Sequence, residues 1–206
     1  MAPPASNSVE AAQLPAHETR AALRRALIAR AVAEAAHEVG PHRVTVSMVI
    51  ARAGIHRQAF YQLFDNVKDA LAYSWRASRL GLLAVVARAT AEGAGWPERV
   101  AAVISALLER AESEPHLVEL YLTYDQAALD DRGPFDDTVV SAIAGVLRPG
   151  RPGTGHPSPG PPSEELITFG ILSVIAERLR RGEAASLTEL APELTLVATL
   201  PFTDRR

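Results

Sequence analysis

Apolar residues recur at α-helical spacing along nearly the whole of this chain, while the strict alternation of a half-buried strand is almost absent. That single pattern restricts the fold to an all-α architecture of about nine helices. Leu23, Leu27, Ile28, Ala31, Val32, Ala35 and Val39 mark one face of a first helix, which Gly40-Pro41 stops. Thr45 is placed to cap a short helix with Val46, Val49, Ile50 and Ala53 turned inward. Gly54 breaks that helix, and a second short segment runs from His56 to Phe64. A long helix is expected from Asn66 toward Glu92, then helices over Trp96–Ser113 and Pro115–Leu129, and a weaker one over Asp130–Leu147, broken early by Gly133-Pro134. Two closing helices are expected behind caps at Ser163 and Ser186, running to about Arg181 and Leu200. Residues 1–16 read as a disordered tail, and the Pro- and Gly-laden stretch 149–162 as a flexible loop.

A chain of 206 residues has enough core to fold without staples, and it has no cysteine for a disulfide, a thiolate metal site or a thiol nucleophile. No apolar run approaches the roughly 20 residues of a membrane span, and the N-terminal stretch lacks the basic and apolar regions of a secretory signal. The expectation is a cytoplasmic protein without a membrane partner. The net charge of −3 argues weakly against a polyanionic partner until the chain is divided. Residues 17–68 carry eight basic against four acidic groups, whereas residues 69–206 carry 13 against 19. A cationic quarter on an acidic body suits a polyanion bound at one end only.

The cationic quarter contains the most specific motif, Thr45–Phe64, TVSMVIARAGIHRQAFYQLF. A helix of two turns, a Gly-centred turn and a second short helix form the helix-turn-helix layout, whose second helix enters the major groove of DNA. On that second helix Ala59, Phe60, Leu63 and Phe64 share an inward face. Arg57, Gln58, Tyr61 and Gln62 share the opposite one, with the cationic, amide and aromatic groups that base edges and phosphates accept.

Thr45-Val46, Ala53-Gly54-Ile55, Phe60-Tyr61 and Phe64, followed by Asn66 and Lys68-Asp69-Ala70-Leu71, resemble the signature of the TetR (tetracycline-repressor-like) family of bacterial regulators. The resemblance covers about 50 residues and departs at four positions. Ile50 stands where a small Ala is usual, His56 at the usual Ser cap, Ala59 at a Thr-like site and Leu63 at the common His or Tyr. The resemblance implies a DNA-binding domain over 17–66 and a ligand-binding and dimerisation domain over 67–206. It implies DNA contacts from Thr45, Arg57, Gln58, Tyr61 and Lys68, with Tyr61 and Lys68 on the phosphates. Arg43, His56 and Gln62 join the candidate set by position.

In the C-terminal part, the scarce aromatics Trp75, Trp96, Tyr121 and Tyr124, with Arg79, Asp125 and Phe169, are candidates for an effector pocket, because such pockets combine apolar walls with a few polar groups. The resemblance places several of them on helices that line one. The helix expected over Ser163–Arg181 is apolar on more than one face, so Leu166, Phe169, Ile171, Val174 and Ile175, with Leu194 from the last helix, are candidates for a dimer interface. His37 and His42 straddle Gly40-Pro41 with Glu38 between them, but no further ligand lies nearby in sequence, so no metal is expected. No nucleophile–base set occurs in a recognisable context, so neither catalysis nor a cofactor is expected. The expected function is a homodimeric transcriptional repressor that holds a palindromic duplex-DNA operator and is released by a small-molecule effector. The alternatives are an activator or a protein-responsive regulator of the same fold, or an all-α enzyme or adaptor.

Overall fold

The computed structural model describes residues 16–92, 95–124, 138–148 and 161–202, and every regular element among them is helical. Among the described residues nine α-helices follow in order: α1 (Ala16–Val39), α2 (Val46–Ala53), α3 (Arg57–Tyr61), α4 (Val67–Glu92), α5 (Trp96–Ser113), α6 (Pro115–Thr123), α7 (Thr138–Leu147), α8 (Pro161–Arg180) and α9 (Ala191–Thr199). Short 3₁₀ turns link α1 to α2 at Pro41–Arg43 and α8 to α9 at Ala184–Ser186 and Thr188–Leu190. The expected tail (1–15), most of the expected loop (149–160), Asp125 and the helical stretch expected over 125–137 lie outside the described residues.

The boundaries around the motif follow local chemistry. Thr45 is extended, and its side chain accepts a hydrogen bond from the Met48 backbone N–H, which satisfies a donor that the first turn of α2 would leave open. Gly54 ends α2 in the left-handed region at φ 63°, a conformation that a Cβ disfavours. At the start of α4, Asn66 Oδ1 accepts from Asp69 N–H at 3.0 Å, while Asp69 Oδ2 accepts from Asp65 N–H at 3.3 Å. The Asn66 cap, with the Asp69 carboxylate tying back the preceding residue, fixes where the long helix begins.

Several expectations require correction. Leu23 and Leu27 do not face the core: they are 63% and 51% exposed. Burial on α1 begins only at Ile28, and its residues 19–27 are exposed or half-buried. The segment after Gly54 is helical only through Tyr61 and closes as a turn at Phe64. Helix α8 starts at Pro161, so Ser163 is already inside it and cannot be its cap. The last helix does not run from Ser186. Pro192 has no N–H and is tolerated only in a first turn, so the chain makes two 3₁₀ turns before α9 begins at Ala191.

Two apolar cores result. The first gathers Ile28, Val32, Ala35, Val49, Phe60, Phe64 and Leu71 from α1 to α4, and is completed by Leu117 and Leu120 of α6. The second gathers Leu82 and Val86 of α4 with residues of α5, α7, α8 and α9, among them Ile104, Leu108, Ile143, Ile175 and Ala198. Helix α4 belongs to both, contributing residues up to Trp75 to the first and from Leu82 onward to the second. Helix α6 packs on both α1 and α4, so it touches the helix-turn-helix core from the side of the body.

Candidate nucleic-acid interface

The inward residues of α3 anchor its outer face. Phe60 is fully buried and Phe64 nearly so, with their rings 5.8 Å apart, and Phe64 meets Tyr73 of α4 at 5.4 Å. That packing leaves Arg57, Gln58, Tyr61 and Gln62 exposed together on one side. His56 at the head of α3 is also exposed and makes no side-chain cap, as its replacement of the usual Ser implies. Arg43, Thr45 and Lys68 are exposed on the segments that flank α2 and begin α4. Every residue in the expected DNA-binding set therefore reaches solvent.

Two of these side chains are already oriented. The Arg57 guanidinium donates to Ser47 Oγ at 3.0 Å, which ties α3 to α2 and fixes the direction of the cation. The Tyr61 ring stands edge-on to Phe60 at 5.5 Å, and the residue is 49% exposed. A cation counted toward the basic quarter is otherwise engaged: Arg52 is paired with Glu38 of α1 and also donates to the Met48 carbonyl, so its charge is largely cancelled. Sequence gave no signal of that pairing, which joins residues 14 apart on different helices.

The aromatic candidates for an effector pocket divide into separate groups. Trp75 and Tyr121 meet between α4 and α6 with ring centroids 4.9 Å apart, and the Arg79 guanidinium lies 5.8 Å from the Trp75 ring centre. The Trp75 indole N–H and the Ser78 hydroxyl, one turn apart on α4, are buried without a hydrogen-bond partner among the described residues. Trp96 lies elsewhere, donating to the Val146 carbonyl at 3.1 Å and packing edge-on to Phe202. Tyr124 turns toward the motif, its hydroxyl 3.4 Å from His42 Nδ1, and burial raises its phenol above the ordinary pKa. Phe169 is 40% exposed on α8.

The expected interface residues also divide. Ile171, Ile175 and Leu194 are buried in the chain's own second core and have no surface to offer a partner. Leu166 and Val174 are exposed on α8 with Phe169, and Leu196, Val197 and Leu200 are exposed near the C-terminal end. No helix among the described residues is long and apolar enough to cross a membrane.

No protein-family model matches the sequence, and no curated protein matches it. Solved structures do match. The fatty acid degradation regulator FadR from Bacillus halodurans superposes with a TM-score of 0.70 at 16% identity, over 85% of this chain and 94% of that one. The transcriptional regulator FadR from Bacillus subtilis, solved in complex with stearoyl-CoA, gives 0.64 at 19% identity, over 88% and 99% of the two chains. A TetR-like transcriptional regulator from Rhodococcus sp. RHA1 gives 0.61 at 17% identity, over 90% and 96%. The helix-turn-helix, the α4 that serves both cores and the helical body together make up the all-α fold of TetR-type transcriptional regulators.

Proposed function

We propose that this chain is a transcriptional regulator, a repressor that holds a palindromic operator as a homodimer and releases it when a small molecule enters the helical body. The observation that carries this reading is the outer face of α3. Four polar or aromatic side chains stand exposed together on a helix fixed from behind by buried Phe60 and Phe64, with Arg43 and Lys68 on either flank. Arg57 and Gln58 occupy the first turn, where a recognition helix meets base edges, while Tyr61 and Lys68 suit phosphate oxygens. The fold supports the same reading.

Two further features support the finer points. The exposed apolar side chains Leu166 and Val174 of α8, and Leu196 and Val197 of α9, are of the kind that a second copy covers, and a two-fold dimer presents two heads to a palindrome. The buried, unsatisfied donors of Trp75 and Ser78, beside Tyr121, would each cost about 1–3 kcal/mol unmet, so an acceptor-bearing effector of largely apolar character suits that position. The Bacillus subtilis regulator was solved with stearoyl-CoA, a ligand that joins a long apolar acyl chain to an acceptor-bearing thioester and a charged head.

Binding to DNA from upstream of its own gene, measured against salt, tests the reading. Log affinity should fall linearly with log salt, by about 0.9 per phosphate neutralised and by several units in all. A flat salt profile would remove DNA as the partner.

A further inference from the structure

We propose that His37, His116 and Glu119 form a binding site for a borderline divalent transition ion of the zinc class, placed where the helix-turn-helix unit meets the body. His37 lies in the last turn of α1, and its Nδ1 is 2.7 Å from Oε2 of Glu119 on α6. His116 lies one turn before Glu119 on the same helix, with its Nδ1 3.9 Å from the same oxygen and its ring centroid 4.5 Å from that of His37. One ligand atom from each of the three lies within 4.8 Å of the others. Four ligands held at 2.0–2.1 Å in a tetrahedron stand about 3.3 Å apart, so this set brackets the spacing that a zinc ion requires.

Three independent features point the same way. The i, i+3 spacing of His116 and Glu119 puts both on one face of α6, and α1 packs against that helix. The His116 Nδ1 atom is buried with no hydrogen-bond partner among the described residues, although a histidine nitrogen taken out of water ordinarily finds one. A small cleft of about 40 Å³ lies against all three side chains, large enough for an ion with a water ligand. Two imidazoles and one carboxylate select a borderline ion over calcium or magnesium, which prefer oxygen donors. Three protein ligands leave an open coordination position for solvent. Because the ligands come from α1 and α6, a bound ion would staple the helix that precedes the recognition motif to the body. The site does not depend on whether the chain binds DNA.

Tag-free full-length protein should be titrated with Zn²⁺ by calorimetry and with Co²⁺ by visible absorption. The expected result is saturation at a single ion per chain, ligand-field bands from Co²⁺, and a higher melting temperature with the ion than without it. His37→Asn and His116→Asn should each raise the dissociation constant by more than about tenfold, a scale that loss of even an outer-shell partner reaches. Glu119→Gln should weaken binding as well. Circular dichroism and melting of the metal-free variants verify that they are folded. A wild-type chain that takes up no stoichiometric ion overturns the proposal. So does uptake that survives both histidine changes in a folded protein, because the ion then sits elsewhere.

Discussion

Each side chain exposed on α3 makes a separate prediction, because base contacts and phosphate contacts fail differently. Arg57→Ala or Gln58→Ala should cost about 1–3 kcal/mol at the preferred operator and relax the choice at particular base pairs. Tyr61→Phe should weaken all sequences alike, since a phosphate contact carries no sequence information. Binding to a panel of single-base operator variants separates the two patterns. If all three substitutions leave binding intact, α3 is not the recognition helix. Arg57 carries an additional condition: its bond to Ser47 aims the guanidinium, so Ser47→Ala should reproduce part of the Arg57→Ala loss. Thr45 and Gly54 were legible in sequence because a cap and a left-handed glycine are decided by neighbours within a few residues. His37 was legible only as half of a pair with His42. Its partners His116 and Glu119 lie about 80 residues away, and only packing of α1 on α6 brings them together.

Helix α8 shows why an apolar pattern does not say which surface faces a partner. Its sequence is apolar around most of its circumference, so Leu166, Ile171, Val174 and Ile175 read alike. In the fold Ile171 and Ile175 close the second core, whereas Leu166 and Val174 face outward. Two substitutions should therefore part company. Ile171→Asp buries an unpaired charge within the subunit and should unfold it, at a cost of several kcal/mol. Leu166→Asp combined with Val197→Asp should leave the chain folded, because both positions are exposed, yet yield a monomer by light scattering if the proposed dimer uses this face. A double variant that remains dimeric moves the interface to another face. The closing segment teaches a related lesson. The signal that splits it was present in Pro192, but the apolar periodicity from Leu187 to Leu200 masked it.

For the whole molecule, the decisive feature is that the motif's core is not self-contained. Leu117 is 7% exposed and Leu120 3%, and both are packed among residues of α1 and α4. A fragment ending at residue 75 would lose both leucines and expose their apolar partners, each buried side chain being worth about 1.5–3 kcal/mol. For a piece of that size such a loss is severe. The fragment should melt far below the full chain, or fail to fold, and should bind DNA poorly for that reason. A fragment as stable as the intact protein would make the α6 contacts dispensable. The all-helical architecture was legible because each helix carries its own periodicity. This mutual dependence was not, because it resides in contacts between segments that no local pattern records.

The 26 residues of α4 span about 39 Å at 1.5 Å per residue, with one end in each core. A beam of that length turns small rotations into large displacements. Tilting it by about 5° about its body end carries the other end through about 3 Å, close to the 3.4 Å rise of one base step along a DNA strand. In a two-headed protein, a shift of that size at each head would be enough to throw both out of register with a rigid duplex, provided that Leu117 and Leu120 of α6 travel with the head they pack in.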